Sequence, residues 1–429
     1  MAIYDDLKNI ESEIIKCMNC GNCQAVCPIY NETHTETGVA RGKIQLAKGL
    51  LEGKLEYTDK MAEILSLCLT CRACGANCPC GVQPEKIILA TRAAMAKKKG
   101  IHPLKRRIFD VLKRPKLFKF GMIAGSKFQG MGMKKVKGKN LASPRLPIGL
   151  DMRRVIPPLA DRYLIKELPR VSKVDNPKYK VAFFIGCVNN YIYTDVGKAV
   201  VNVLLANDVE VIIPEHQHCC GIPTLMHGDV DTAKKIAKYN LNELSKENVD
   251  YIVTACGTCG SALSHHYLDL LANEGGYINV AKKIAPKVYD ISEFLVEVIG
   301  YKKPQGAIKE RVTYHDPCHL VRGDKVVAKQ PREILNSIPE LDFVEMSKPD
   351  RCCGSAGSFS LTHYEMSSSI RNKKTDDILS VKPTMLVTSC GACRMQLEDG
   401  LHQAGEDIPV RHVAQLLEMS YENAEKKNK

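Results

Sequence analysis

The segment Cys17-x₂-Cys20-x₂-Cys23-x₃-Cys27-Pro28 occurs again, fifty-one residues later, as Cys68-x₂-Cys71-x₂-Cys74-x₃-Cys78-Pro79. Gaps of two residues allow one loop to place three thiolates at three corners of a cubane cluster of iron and sulfide. A zinc site with four cysteine ligands is the alternative for such a set. Because the full spacing occurs twice, it favours two 4Fe–4S clusters over zinc.

The cysteine before the proline usually ligates the other cluster when a chain holds two of them. We therefore predict two ligand sets that exchange their fourth members. The first cluster is expected on Cys17, Cys20, Cys23 and Cys78, and the second on Cys27, Cys68, Cys71 and Cys74. Cys80 falls outside both sets and is predicted to be a buried small residue.

A second cysteine pattern also occurs twice. The first copy consists of Cys187, Cys219-Cys220-Gly221 and Cys256-x₂-Cys259, and the second of Cys318, Cys352-Cys353-Gly354 and Cys390-x₂-Cys393. Matching cysteines are 131 to 134 residues apart, and this nearly constant offset indicates an internal duplication. Each copy offers five thiolates, one more than a cubane needs. A vicinal disulfide or a zinc site is the alternative.

Short apolar segments precede the cysteines in both copies and predict strands. These segments are 180–185, 209–213 and 251–254 in the first copy, and 311–314, 341–346 and 385–388 in the second. Helical stretches alternate with them, which predicts a parallel α/β sheet in each copy. The cysteines then lie at the carboxyl ends of strands, where ligands gather in such sheets.

Four units follow from these patterns, and the fold class is α+β and multidomain. Residues 1–96 are expected to form a helical ferredoxin-like domain with two 4Fe–4S clusters, including helical stretches at 38–52 and 59–67. Residues 97–178 form a basic connector. Residues 179–305 and 306–429 form the two duplicated α/β domains with parallel sheets.

The net charge of +13 belongs to the connector, since residues 97–139 contain fifteen Lys or Arg and one acidic residue. A short helix is predicted between Pro103 and Pro115, with one apolar face and one basic face. Such a helix can lie on an anionic membrane surface, and a solvated linker helix is the alternative. A single run of basic residues is weak support for binding to nucleic acid, so we do not expect it.

Several classes of function lack a signature in this sequence. No G-x-G-x-x-G follows a predicted strand, so the chain is expected to lack a dinucleotide site and to depend on a partner that carries FAD. No stretch of eighteen apolar residues occurs, and cysteines this numerous without a secretory signal are expected in the reducing cytoplasm. His319, next to Cys318, is the candidate catalytic residue because an imidazole can relay a proton; a structural histidine is the alternative.

The two ferredoxin-type runs followed by two Cys-Cys-Gly patterns resemble the cysteine-rich (CCG) domain family of iron–sulfur oxidoreductases. The segments Arg41-Gly42-Lys43-Ile44, Asp316-Pro317-Cys318-His319 and Val410-Arg411-His412 are similar to those of the iron–sulfur subunits of glycolate oxidase and lactate dehydrogenase. Catalytic subunits of heterodisulfide reductase share the Asp-Pro-Cys-His segment and both complete cysteine sets, and they are the alternative relatives.

The resemblance implies an electron-transfer role with two further, noncubane 4Fe–4S clusters. The first would be held by Cys187, Cys219, Cys220, Cys256 and Cys259, and the second by Cys318, Cys352, Cys353, Cys390 and Cys393. Electrons would come from an FAD-binding dehydrogenase subunit that oxidises a 2-hydroxyacid. They would leave for a quinone, an electron-transfer flavoprotein or a membrane cytochrome, with residues 97–139 in peripheral contact with the inner face of the membrane. The alternative is reduction of a disulfide at the noncubane clusters.

Overall fold

The computed structural model describes residues 2–146, 149–323 and 325–427. Residues 1–96, here the N-terminal unit, contain only helices and loops among the described residues. Short 3₁₀ helices span Leu7–Ile10 and Glu36–Gly38. The α-helices are α1 (Glu11–Ile15), α2 (Asn22–Val26), α3 (Tyr30–Thr33), α4 (Ala40–Leu51), α5 (Asp59–Ser66), α6 (Ala73–Ala76) and α7 (Pro84–Lys99).

Helices α4 and α5 lie where the apolar spacing predicts helices, at 38–52 and 59–67. Helix α5 begins at a threonine cap, because the Thr58 side chain accepts a hydrogen bond from the Met61 N–H. Helix α7 begins with Pro84, which suits the first helical turn because its missing N–H has no partner there in any helix. Its apolar face packs against α4, and the helix continues three residues beyond position 96.

Residues 97–178, here the connector, contain two longer helices and a third of four residues where the sequence predicts one helix. The elements are α8 (Pro103–Leu112), α9 (Pro115–Gly132), β1 (Met133–Lys135), β2 (Ala142–Pro144), α10 (Leu164–Glu167) and β3 (Val171–Ser172). Helix α8 starts at Pro103 as expected. Pro115, which is expected only to mark the end of that helix, is also the first residue of α9. Only part of the predicted apolar face of α8 packs against the protein, because Leu112 is buried while Leu104 and Ile108 are exposed.

Residues 179–305, here the first repeat, form an α/β sheet. Its elements are β4 (Tyr179–Phe184), α11 (Gly186–Tyr191), α12 (Thr194–Ala206), β5 (Val209–Ile212), α13 (Ile222–Met226), α14 (Val230–Leu244), β6 (Tyr251–Thr254), α15 (Gly257–Ser261), α16 (Tyr267–Leu270), α17 (Gly276–Ile284), β7 (Val288–Asp290) and α18 (Ile291–Glu293). A 3₁₀ helix spans Ala285–Lys287, and π-helical turns span Ala262–His266 and Phe294–Ile299. The strand order is β3-β5-β4-β6-β7. All neighbouring pairs are parallel except β3 with β5.

Residues 306–429, here the second repeat, form a parallel sheet with the order β11-β10-β8-β9. Its elements are β8 (Arg311–His315), α19 (Cys318–Val321), α20 (Lys329–Asn336), β9 (Asp342–Phe343), α21 (Phe359–Thr362), α22 (Tyr364–Leu379), β10 (Met385–Thr388), α23 (Gly391–Gln403), β11 (Val410–Arg411) and α24 (Val413–Lys427). Strands β5-β4-β6-β7 and β9-β8-β10-β11 therefore occur in the same order, which agrees with the duplication that the cysteine spacing indicates. The α+β fold class and the parallel sheets are confirmed.

The two repeats share one apolar core. Buried side chains of β4 and β6, such as Phe183 and Val253, belong to the same packed cluster as Tyr314 of β8 and Val387 of β10. Helix α12 packs against α24 across the boundary between the repeats. Within the described residues, no helix combines the length and the apolar character that crossing a bilayer would require.

Candidate iron–sulfur centres

The two ferredoxin-type runs have matching backbone conformations. Asn19 and Thr70 occupy equivalent positions and both have a positive φ, 56° and 52°. Gly21 and Arg72, two residues further on, also have positive φ angles, 91° and 62°, and they precede the short helices α2 and α6. Alternating right- and left-handed residues point successive N–H groups inward, which creates a concave surface suited to an anionic group.

The four thiols predicted to hold the second cubane lie together. The Cys74 thiol interacts with Cys27, Cys68 and Cys71, and burial raises its pKa well above the ordinary value. Burial likewise raises the pKa of Cys27 to about 11. Backbone N–H groups point at these sulfurs, from Tyr30 to Cys27 at 3.5 Å and from Thr70 to Cys68 at 3.4 Å.

The four cysteines predicted to hold the first cubane lie nearer the surface. Cys20 is exposed, and Cys17 and Cys78 both border the main core. The Cys23 thiol interacts with Cys17, and burial raises its pKa. The side chain of Asn77 donates to the Asn22 carbonyl at 2.8 Å, which ties the loop before Cys78 to the first run. Cys80 is half-buried against the same core.

Lys43 is a buried cation beside the second thiol set. The sequence analysis places it in a segment that is similar to one in related iron–sulfur subunits, but it predicts no role for this residue. Its side chain is 1% exposed, and its ammonium donates to the carbonyls of Thr37 and Gly38. Burial lowers the pKa of Lys43, while the nearby Cys68 and Cys27 thiols act in the opposite direction. An ammonium here offsets the negative charge that a set of thiolates accumulates.

The ten cysteines of the repeats form two equivalent series of thiol contacts. In the first repeat the order is Cys187–Cys219–Cys220–Cys259–Cys256, and in the second it is Cys318–Cys352–Cys353–Cys393–Cys390. All nineteen cysteines lie within the described residues and are free thiols, so the vicinal disulfides considered as an alternative are absent. A hydrogen bond from Cys219 lowers the pKa of Cys220 to about 6, and Cys352 lowers the pKa of Cys353 in the same way.

Glycines allow the backbone to approach these sulfurs. Gly221 and Gly354 follow the adjacent cysteines with φ angles of 80° and 81°, a conformation that L side chains rarely adopt. Their N–H groups each lie 3.5 Å from the first sulfur of the pair, Cys219 or Cys352. A Cβ on Gly186 would lie 2.8 Å from the Cys259 sulfur, so this position has room only for glycine.

The two cysteine series meet at the boundary between the repeats. The thiols of Cys256 and Cys390 contact each other, and both series line one predominantly apolar cavity of about 170 Å³. Thr70 of the N-terminal unit and His319 also line this cavity. Duplication therefore places two thiol-rich sites face to face, and the N-terminal unit closes one side.

Three histidines accompany the second series, and of these His315 and His412 are buried while His319 is half-buried. His315 has no hydrogen-bond partner on either ring nitrogen among the described residues, and one of its nitrogens lies within 4.8 Å of the Cys353 and Cys393 sulfurs. Burial lowers the pKa of His315 to about 3 and those of His319 and His412 to about 4. All three imidazoles are neutral at pH 7. Sequence reasoning selects only His319, because nothing in the spacing shows that His315 faces the thiols.

The side chain of His319 also approaches the N-terminal unit. Its ring lies 6.3 Å from that of His266, centroid to centroid, and a ring nitrogen of each lies within 4.8 Å of a Glu85 carboxylate oxygen. Two histidines and a carboxylate could hold a divalent cation. Arg72, however, pairs with Glu85 and lies 3.1 Å from His266 Nε2, so a guanidinium already supplies the positive charge.

The donor sets present suit iron–sulfur clusters. Thiols in groups of four and five, N–H groups directed at sulfur, and an unpaired imidazole at His315 together supply ligands and donors for a sulfur-rich anionic group. Free thiols with raised pKa values, such as Cys27, would have to lose their protons when metal binds.

Comparison with known proteins agrees with these features. Residues 13–82 match the family described as "4Fe-4S dicluster domain", and residues 181–264 and 312–398 match that described as "Cysteine-rich domain". The chain is 32% identical, over 95% of its length and 94% of the relative, to the "Probable glycolate oxidase iron-sulfur subunit" of Bacillus subtilis.

Two other relatives carry different names. A subunit of the "Fumarate reductase (CoM/CoB)" of Methanothermobacter marburgensis is 30% identical over 97% of this chain and 74% of the relative. "Lactate utilization protein A" of Oceanobacillus iheyensis is 33% identical over 56% of this chain and 96% of the relative. The chain therefore belongs to the family of iron–sulfur oxidoreductase subunits that join a 4Fe–4S dicluster domain to two cysteine-rich (CCG) domains.

Proposed function

We propose that this protein is the electron-transfer subunit of a flavin-dependent oxidoreductase for 2-hydroxyacids of the glycolate or lactate type. The names of two relatives, a glycolate oxidase iron–sulfur subunit and a lactate utilization protein, support this substrate class. The chain accepts electrons from a separate FAD-binding subunit and delivers them to a quinone or another acceptor.

Four ligand sets carry this proposal. The two cubane sets are Cys17, Cys20, Cys23 and Cys78, and Cys27, Cys68, Cys71 and Cys74. The two CCG sets are Cys187, Cys219, Cys220, Cys256 and Cys259, and Cys318, Cys352, Cys353, Cys390 and Cys393. Clusters bound to such thiolates accept and release electrons one at a time. This lets the chain divide the two electrons of a reduced flavin.

The observation that carries the proposal is the continuity of the thiols. Cys27, Cys68, Cys71 and Cys74 group in the N-terminal unit, Cys71 contacts Cys352, and Cys390 contacts Cys256. No organic cofactor is needed between these positions. The first cubane set, with its exposed Cys20, lies where a partner can exchange electrons with the chain.

The connector supports a peripheral contact with an anionic membrane. Four exposed apolar residues of α9 lie within an arc of about 80° around the helix axis and so share one face: Leu117, Phe120, Phe128 and Met131. The opposite face is attached to the protein: Ser126 donates to the Ala160 carbonyl, and Gln129 bonds to Leu159. The attached face leaves the exposed apolar stripe, with lysines along its margin, available to lipid.

The experiment is reduction by substrate. The anaerobically purified chain, together with its partner flavoprotein, is mixed with glycolate or L-lactate and examined by electron paramagnetic resonance. We expect reduced-cluster signals and about sixteen irons per chain, four per 4Fe–4S cluster. Cys80→Ser serves as the matched control for Cys27→Ser, and only the latter should lose about four irons. Failure of every 2-hydroxyacid to reduce the wild-type chain would refute the proposed function.

A second candidate function is reduction of a disulfide. It is favoured by the two complete CCG sets around one cavity, with the His319 imidazole on its wall as a hydrogen-bond donor to a substrate sulfur. Cleaving the disulfide needs two electrons and two protons, and it yields two thiols. If heterodisulfide turnover driven by reduced methyl viologen is measurable, His319→Gln should reduce it while iron content stays unchanged. An absence of turnover in the wild type would exclude this candidate.

A further inference from the structure

A second cavity, of about 200 Å³, adjoins the cysteine-lined cavity, with which it shares Thr70, Met226, Ala356 and Ser358, and it is here called the connector cavity. Its walls come from the N-terminal unit, the start of α8 and both repeats. Cys68, a proposed ligand of the second cubane, contributes to its lining, as do Ile101 and Lys105 of the connector and Phe359 of α21. The cavity thus connects a proposed electron carrier to the basic connector.

Much of the wall is apolar and provides flat surfaces. Leu65, Met95 and Ile101 line it, and Phe359 stacks on His363 with ring centroids 4.9 Å apart and an interplanar angle of 11°. A planar ring would find van der Waals contact on such surfaces. The volume suits a head group of one or two rings and is too small for a flavin dinucleotide.

Two hydroxyl–imidazole pairs also line the cavity. Ser66 Oγ lies 3.1 Å from His363 Nε2, and Ser358 Oγ is bonded to His227 Nε2. Burial lowers the pKa of His227 to about 3 and also lowers that of His363, so both rings are neutral at pH 7. The Ser66–His363 pair has no donor to spare, because the Ser66 hydroxyl donates to a backbone carbonyl and His363 Nδ1 is bonded to the adjacent threonine hydroxyl. Within the described residues, Nδ1 of His227 has no hydrogen-bond partner, so this neutral imidazole can donate a hydrogen bond to a carbonyl and pass on a proton.

Lys105 is a cationic group of the wall. Within the described ranges, its half-buried ammonium has no hydrogen-bond or ion-pair partner. The neighbouring cation Arg92 is already saturated, because it donates to the carbonyls of Leu65, Ser66, Cys68 and Met226. A partly desolvated ammonium without a partner favours a ligand that brings an oxygen acceptor.

We propose that the connector cavity binds the head group of a quinone, with Lys105 donating to one carbonyl and His227, held by Ser358, donating to the other. This inference rests on the proposed function, which supplies the electrons from a flavin hydroquinone. The quinone takes two electrons from the reduced chain in two single transfers. It also takes two protons from solvent, and a quinol leaves. Lys105 lies on α8 beside the exposed Leu104 and Ile108, which suits a lipid-soluble occupant.

The test measures binding of a quinone-site probe to the cluster-loaded full-length chain. Equilibrium dialysis gives the Kd for 2-heptyl-4-hydroxyquinoline N-oxide, and an azidoquinone labels its site for peptide mapping. We expect Lys105→Gln to raise Kd about tenfold or more, as for loss of one charge-assisted hydrogen bond. Arg107→Gln, which removes an exposed charge from the same helix, should leave Kd unchanged. The label should fall on peptides that contain Lys105 or His363.

Either of two results would overturn the assignment. One is the absence of probe binding to wild-type protein whose iron content is complete. The other is labelling outside the connector cavity together with an equal Kd for Lys105→Gln and wild type. Because this readout needs neither the partner nor a hydroxyacid, its failure is distinguishable from failure of the clusters to be reduced by substrate. His227→Gln provides a second variant, which should also weaken probe binding. It replaces Lys105→Gln in the test if that variant does not accumulate.

Discussion

The thiol of Cys71, in the second ferredoxin-type run, lies in hydrogen-bonding contact with the thiol of Cys352, in the second repeat. The two residues are remote in sequence and belong to the same packed cluster, together with Ile29 and Phe359. The contact raises the pKa of Cys71, and burial adds to this effect. It shows that the N-terminal unit and the second repeat join at their sulfurs and not at an inert surface.

Arg322 lies beside this junction and should tune its reduction potential. Its guanidinium donates to the Cys71 carbonyl at 3.3 Å and pairs with Asp350. Removing a positive charge near thiolate-bound iron disfavours the reduced, more negative state. Arg322→Gln should therefore lower the midpoint potential of the nearest cluster by on the order of 50 mV, measured by redox titration with electron paramagnetic resonance.

Arg311→Gln is the matched control for that measurement. Arg311 pairs with Asp342 at the start of β8, whereas the cysteines follow the other end of the strand. It should change the potential little, because the charge is exposed and distant. Equal potentials for the Arg322 variant and the wild type would show that the junction does not sense this cation.

Gly42 is required by close backbone packing, and its replacement should destabilise the N-terminal unit. A Cβ at this position would lie 2.1 Å from the carbonyl oxygen of Glu36, which belongs to backbone and cannot rotate away. Gly42→Ala should lower the apparent melting temperature, at a cost of roughly 1–3 kcal/mol. Gly121→Ala is the control: no atom lies within 4 Å of its Cβ, so it should stabilise α9 by about 0.5–1 kcal/mol. A lower melting temperature for Gly121→Ala than for Gly42→Ala would contradict this expectation.

The sequence predicts much of the fold but not how its parts dock. Strands 251–254 and 385–388 have the predicted bounds, because a short apolar run just before a cysteine limits where the strand can begin and end. Strand β9 is shorter than the predicted 341–346, since it lies at a sheet edge with one neighbour. Helix α9 escapes prediction because apolar residues occur on both its faces, one against the protein and one exposed.

For the candidate sites, too, the sequence predicts the local groups of residues but not how those groups meet. Spacing alone predicts which cysteines form a set, because the ligands of one cluster are expected from one short loop and its repeat. The contact between Cys256 and Cys390, and the approach of His315 to the thiols, depend on how two separately folded sheets pack. No local pattern encodes that packing, so a single sequence does not reveal it.

Asp290 should make stability depend on pH. Its carboxyl caps α18 by accepting from the Ser292 N–H at 2.9 Å, while Oδ2 has no partner among the described residues. Burial raises the pKa of Asp290 to about 7, and the nearby Glu293, which pairs with Lys325, contributes in the same direction. The folded pKa exceeds the unfolded value near 3.9. The contribution of Asp290 to stability is therefore greatest below about pH 4 and falls as the pH rises toward 7.

Asp290→Asn keeps the capping oxygen but does not titrate. Its melting temperature should therefore exceed that of the wild type by more at pH 8 than at pH 5. The difference in stabilisation should be roughly 2 kcal/mol. Thermal denaturation of the anaerobic protein, followed by circular dichroism at both pH values, measures this. An advantage for the variant that stays constant or shrinks with rising pH would show that Asp290 is not the group responsible.

The exposed face of α9 should determine membrane binding. Phe120 and Phe128 are 68% and 64% exposed, and burying two aromatic rings in lipid contributes more than any single surface charge. The double substitution Phe120→Ser and Phe128→Ser should lower the partition coefficient on anionic vesicles about tenfold or more, measured by co-sedimentation. Val326→Ser, which removes an exposed apolar side chain from the second repeat, should have no effect.

Salt separates the two contributions to this binding. The connector lysines act through charge, so adding salt should weaken binding of the wild type to vesicles that contain phosphatidylglycerol. The phenylalanines act through burial, so the double variant should stay weaker than wild type at every salt concentration. Equal binding of the wild type and the double variant to neutral vesicles, together with equal binding to anionic vesicles, would show that α9 does not insert into lipid. The exposed stripe would then need a protein partner to cover it.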